Sequence, residues 1–321
     1  MSIYEARPLK TGRVQTYPLG SRPSKVSVKD FAKPAGSKSS VRKWVDSLPQ
    51  ILAGQSFRSV LAALESARRK EKAIIWGLGG HVVKCGLAPV LIDLMKRGYA
   101  TAFAMNGAAL IHDFEVALAG ATSEDVPQGL GEGRFGMAEE TGRYIHQAVA
   151  EGVRDELGLG EAVGRFLRGF RGARFRRSSL LAAAYARRVP VTVHEAIGTD
   201  IIYNHPAIDA RALGEASYRD FLLLAALVRD LDGGGVYLNV GSAVILPEVF
   251  LKCFSLVANL HRAPRRITTV NLDFIQHYRP LQNVVTRPVG AANAGKNASQ
   301  GFALTGHHEL MIPLIAAALA P

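Results

Sequence analysis

Apolar positions along this chain fall into two alternating rhythms. Ile74, Ile75 and Trp76 form a short β-prone run, followed at once by Gly77, Gly79 and Gly80. Residues 87–96 then carry apolar positions at helical spacing, up to Gly98, a residue that often ends helices. A second apolar run over 100–105 leads through Asn106 and Gly107 into another helical pattern over 108–119. Strand, glycine turn, helix, strand, turn, helix is the pattern of a βαβ unit with parallel strands. The second half repeats it, with strands at 189–193, 235–240 and 267–272 and helices at 179–187, 218–231, 246–260 and 309–319. Two further helices are predicted at 56–70 and 138–157. The pattern predicts an α/β fold: one doubly wound, mostly parallel sheet of the Rossmann-like type with right-handed crossovers.

Residues 1–43 stand outside this rhythm. Pro8, Pro18, Pro23 and Pro34 punctuate them and no apolar period is visible, so an extended basic arm is expected before a single domain over 44–321. That arm carries ten Lys or Arg against two acids, and residues 165–188 add eight Arg and no acid. Since the whole chain sums to +12, the remainder is about −4, ordinary for a globular surface. In the arginine run, Phe166, Phe170 and Phe175 alternate with Arg165, Arg168, Arg171 and Arg174. Such interleaving can grip single-stranded nucleic acid. The favoured reading is a solvated arginine face over inward phenylalanines, because Gly169 and Gly172 interrupt any regular stripe; nucleic acid is not an expected partner.

Three further features narrow the class. No charge-free apolar run reaches the ~18 residues of a membrane span, and residues 1–10 lack the apolar core of a signal peptide. A cytoplasmic protein is expected, with Cys85 and Cys253 as buried free thiols. No metal centre is expected: His194, Glu195, Asp200 and His205 match no standard ligand spacing.

The chemistry is expected in the turns. Glycines after a strand allow close backbone approach, and the helix that follows presents free N–H groups to an anion such as a nucleotide phosphate. Residues 77–82, GLGGHV, depart from the common GxGxxG pattern, because Val82 stands in the place of the third glycine. A tight turn without ligand is the competing reading. His112 and Asp113, with Glu115, open a helix beside that turn and can serve as acid and base, or simply stabilise the helix start.

The order of five segments resembles deoxyhypusine synthase and its bacterial homologues. They are GLGGHVVKCGL (77–87), AFAMNGAALIHDFE (102–115), VPVTVHEAIGTDIIYNHP (189–206), GVYLNVGSAVILPEVFLKC (235–253) and HHELMIPLIAAAL (307–319). The resemblance implies NAD bound at the strand ends, a homotetramer, and transfer of an alkyl or aminoalkyl group from an amine or polyamine-like substrate through an imine with a lysine. On that reading Gly79, Gly80 and His81 hold phosphate. Asn106, Gly107, Thr199, Asp200 and Gly241 place the rest of the cofactor, and Lys296, His112 and Asp113 carry the chemistry. One segment departs from the family. The stretch corresponding to its lysine segment, 274–288, holds neither lysine nor acid, and Lys296 is the nearest lysine. A non-catalytic, nucleotide-binding homo-oligomer on the same fold is the alternative.

Overall fold

A computed structural model describes residues 3–292 and 298–320. Within them lies one six-stranded sheet made of β1 (Ile74–Leu78), β2 (Ala102–Asn106), β3 (Val191–His194), β4 (Val236–Val240), β5 (Thr268–Asp273) and β6 (Gln300–Thr305). The strand order is β3-β2-β1-β4-β5-β6, and every neighbouring pair is parallel. The chain steps outward from β1 to β3, then returns to start again at β4 on the other side of β1. This is the doubly wound, Rossmann-like arrangement, with its switch point between β1 and β4.

Both faces of the sheet are covered, so the strands are apolar throughout rather than alternating. Ile74, Trp76 and Leu78 of β1, with Phe103, Met105, Val236, Leu238 and Val240, point into the larger core under the helices Leu52–Arg69, Ala88–Lys96, Gly107–Ala119 and His308–Ala318. Ile75, Ala102, Ala104 and Tyr237 point the other way, into a second core against the helices Ala210–Arg229 and Ile245–Leu260. Trp76 is fully buried, and its indole N–H donates to the Tyr99 carbonyl at 2.9 Å. Tyr237 stacks on Phe250 with ring centroids 3.8 Å apart.

Several boundaries differ from the sequence expectation. The helix expected from 218 begins at Ala210, where the Asp209 carboxylate caps the amides of Arg211 and Ala212. A helix over Leu159–Gly169 takes in the first five residues of the arginine run. In that run Phe166 and Phe170 pack on the core while Phe175 stays half-exposed, and Arg165 pairs with Asp155 at 2.7 Å. Strand β6 was not expected at all. Residues 3–40 form only brief 3-10 turns and leave Ile3, Leu9, Leu19 and Val28 exposed. No helix among the described residues is long and apolar enough to cross a membrane.

Candidate functional site at the switch point

The carboxyl ends of the strands form a rim. At its centre β1 and β4 nearly touch. A Cβ on Gly79 would lie 1.9 Å from the Gly241 carbonyl oxygen, and the Gly79 amide donates to Val240 at 2.9 Å. Gly241 has φ +68°, a conformation that excludes most side chains, and a Cβ there would meet His308 Cε1 at 2.8 Å. Gly80 opens the next helix against Ala108 and His112, whose Cδ2 would lie 3.3 Å from an added Cβ. The rim is braced on the β4–β6 side by a chain of amides. Asn239 donates to Asn271 at 2.7 Å, Asn271 to Gln276 at 2.7 Å, and Gln276 to the Leu304 carbonyl at 3.0 Å. Polar groups bonded in series like this fix the loops that they join, although the Asn239 side-chain oxygen itself is buried without a partner.

The residues expected to hold cofactor fall into two groups. Gly79, Gly80, His81 and Gly241 gather at the β1–β4 crevice. Asn106 and Gly107 lie at the tip of β2, where the Asn106 side chain caps the Gly107–Ala119 helix by accepting from Ala109. Asp200 reaches over that same helix start: an added Cβ on Gly107 would meet its Cγ at 2.2 Å. The helix N-terminus therefore already faces a carboxyl group of the chain itself. Asp200 also accepts from the Ala196 amide at 2.8 Å, and burial raises its pKa. Thr199 is exposed.

The chemical candidates separate more sharply. His112 Nδ1 lies 2.7 Å from Thr122 Oγ1, and that hydroxyl donates to Glu115 Oε2 at 2.6 Å. A threonine hydroxyl has one proton, so His112 must be the donor to it. The imidazole then keeps its Nε2 lone pair free, on the same edge as the Cδ2 that faces Gly80. Burial, and then the charges of Lys84 and His81, lower the His112 pKa. The ring is thus held neutral and oriented, as a general base must be. Thr141 donates to the other oxygen of Glu115 at 3.2 Å.

Asp113 is used differently from the expectation. It is fully buried, and accepts from Ser179 Oγ at 2.5 Å, Leu180 N at 2.7 Å and Leu181 N at 3.1 Å. It caps the Leu180–Ala186 helix and has no free oxygen for a substrate. Burial raises its pKa to about 6 in spite of these bonds. Lys296 lies outside the described residues. Lys84, on the helix after β1, is the lysine that the structure brings beside His112.

Other polar groups crowd the rim. Burial first, and the Asp200 carboxyl second, raise Glu195 to about 8, and both of its oxygens are shut off from solvent. Burial lowers His194 to about 3. Phe274, after β5, lies with its ring centroid 5.7 Å from His81 and 5.8 Å from His307. Next to Glu115 opens a cavity of about 620 Å³, walled by Tyr144, Phe170 and Phe175 with Glu140 and Arg174 at its edge. It offers carboxylates and aromatic faces together.

No family profile matches the chain, and neither does any curated protein. Solved structures similar to it include an apo arginine dihydrolase, ArgZ, from the ornithine–ammonia cycle in cyanobacteria, at 16% identity and TM-score 0.47 over 82% of this chain and 31% of that one. Another is AgrE in a ternary complex with ornithine and NAD+, at 14% identity and TM-score 0.49 over 84% of this chain and 34% of that one. A third is a putative deoxyhypusine synthase from Entamoeba histolytica, at 11% identity and TM-score 0.48 over 88% of this chain and 93% of that one. The chain spans about a third of the length of the first two. At such identities and scores these likenesses say nothing about what the chain binds or does.

Proposed function

We propose that the chain is an NAD-binding enzyme, a transferase of alkyl or aminoalkyl groups acting on a small amine. The dinucleotide would lie across the β1–β4 crevice. One observation supports this reading: at the switch point of a doubly wound sheet the turn after β1 lies backbone against backbone on the tip of β4, so that a Cβ on Gly79 would strike the Gly241 carbonyl and one on Gly241 would strike His308. Such crevices are where open α/β sheets bind ligands, and bare backbone there admits a pyrophosphate.

The amine half of the reading rests on the cavity at Glu115. Its carboxylates suit an ammonium group, and the rings of Tyr144, Phe170 and Phe175 suit a cation or the methylenes that bear it. His112, oriented through Thr122, would take a proton from the amine. When bound, NAD would supply the hydride acceptor that makes an amine reactive. Gly80 and His81 would lie along the phosphates, while Asn106, Gly107, Thr199 and Asp200 would flank the rest of the cofactor. A cytoplasmic homotetramer belongs to the same proposal.

A second reading is kept for one reason: segment 274–288 has no lysine to form an imine. A nucleotide-binding homo-oligomer without catalysis fits that departure. Calorimetric titration with NAD+, followed by incubation with a panel of diamines and triamines while reduced-nicotinamide fluorescence is recorded, separates the two. Heat of NAD+ binding with amine-dependent fluorescence supports the enzyme. Binding without any turnover favours the second reading, and absence of binding removes both.

A further inference from the structure

His81, Cys85 and Glu309 meet on the rim beside the Gly79 turn. His81 and Cys85 are one helical turn apart, so they share a face, and His81 Nε2 lies 3.1 Å from Cys85 Sγ. Glu309 arrives from the far end of the chain, in the first turn of the His308–Ala318 helix. One ligand atom from each residue lies within 4.8 Å of the other two. Nitrogen, sulfur and oxygen ligands at tetrahedral zinc stand about 3.4–3.8 Å apart, given metal–ligand distances of about 2.0–2.3 Å, so small side-chain rotations complete the geometry. We propose that these three residues bind one divalent transition-metal ion of the zinc class.

The donor set decides the class. Thiolate with imidazole favours zinc-like ions, whereas magnesium and calcium take oxygen ligands. A thiolate ligand would release its proton to solvent as the metal–sulfur bond forms.

The surroundings support a centre with an outer layer. His308 is fully buried beneath it, its ring centroid 5.4 Å from that of His81 and its Nε2 3.5 Å from Asp273 Oδ1. Phe274 walls the cluster at 5.7 Å from His81. His307 Nδ1 lies 3.8 Å from Glu309 Oε1. Three protein ligands leave the fourth position to water or a substrate atom, the pattern of catalytic rather than structural zinc.

This inference does not depend on the nucleotide reading, and its test contains no nucleotide. The full chain, stripped by chelator and kept reduced, is titrated with Co2+ and followed by absorption. One equivalent should bind with a thiolate-to-cobalt charge-transfer band and the ligand-field bands of a four-coordinate ion, and zinc should displace it. Cys85→Ser should abolish the charge-transfer band. Glu309→Gln, at an exposed position that leaves the apo melting temperature unchanged, should weaken binding at least tenfold even if the cysteine variant folds poorly. A stoichiometric titration without that band, or a band that persists in Cys85→Ser, overturns the proposal. Calorimetry with NAD+ on the stripped protein reports the crevice separately, so failure of one proposal is distinguishable from failure of the other.

Discussion

Replacing Gly79 by alanine is the sharpest probe of the crevice. Gly79 has φ −79°, so alanine fits the local backbone and any cost arises from contact alone. The added Cβ would lie 1.9 Å from the Gly241 oxygen, 2.5 Å from its carbon and 3.0 Å from Ser242 N, all of them backbone atoms that cannot rotate away. Ordinary contact begins near 3.4 Å, so the two tips must part by the difference, about 1.5 Å. That movement overstretches the bond from Gly79 N to Val240 O, now 2.9 Å. Overpacking costs about 1–3 kcal/mol and a lost hydrogen bond about 1 kcal/mol, for a total of about 2–4 kcal/mol. In a chain of this size the melting temperature should fall by about 3–6 °C. NAD+ binding should weaken at least tenfold, read by calorimetry below the transition. Gly214→Ala is the control. An added Cβ there meets nothing within 4 Å in a helix interior, and the change should stabilise by about 0.5–1 kcal/mol. If Gly79→Ala melts with the native protein and binds NAD+ unchanged, the crevice is not the cradle described.

Three other outcomes are expected. Asp113→Ala removes an acceptor from three donors at one helix start, so denaturant unfolding should show a loss of about 2–4 kcal/mol with NAD+ binding intact; lost binding at unchanged stability would return Asp113 to the site. Glu115→Gln should weaken binding of a small diamine about tenfold in calorimetry, the order of one hydrogen bond to a charged group, and unchanged affinity would detach the cavity from the amine. Stability should fall as the pH rises from 6.5 to 8.5. Glu195 (raised to about 8) and Asp220 (raised to about 7) keep protons in the folded chain that the unfolded chain has released, so their contribution is lost as pH rises through those values. Between pH 6.5 and 8.5 that loss is at most about 2–3 kcal/mol. Below 6.5 the lowered histidines, His194 above all, charge in the unfolded chain first and oppose folding, while the raised carboxyl of Asp113 acts in the opposite sense. Urea midpoints that rise steadily from pH 6.5 to 8.5 would contradict this.

Much of the sheet was legible because buried parallel strands read as continuous apolar runs between glycine turns. β1, β4 and β5 follow directly from such runs, and β2 and β3 were displaced by only one or two residues. β6 was not legible: Gln300, Gly301 and Thr305 dilute it, and it is half-exposed at the sheet edge. The start of the Ala210–Arg229 helix hid behind Arg211, Glu215 and Ser217, whose polar faces mask its buried Ala212, Leu213 and Ala216. In the site, the glycine turns carried a visible signal because they demand glycine. Asp113 and His112 looked alike as neighbours in sequence, yet a helix turns adjacent residues about 100° apart, so one meets Ser179 and the other Thr122. The spacing of His81 and Cys85 was not read as a ligand pattern, and Glu309, which joins them, lies too far along the chain for spacing to reveal.

The central claim is that a dinucleotide lies across the tips of β1 and β4. Hydrogen exchange with and without saturating NAD+ tests it most directly. Protection should rise in the turns after β1 and β4, around Gly80–Val83 and Gly241–Ser242, and stay unchanged at the opposite end of the sheet, around Lys72 and Gly233. No protection with NAD+, or protection confined to a surface away from that crevice, would contradict it.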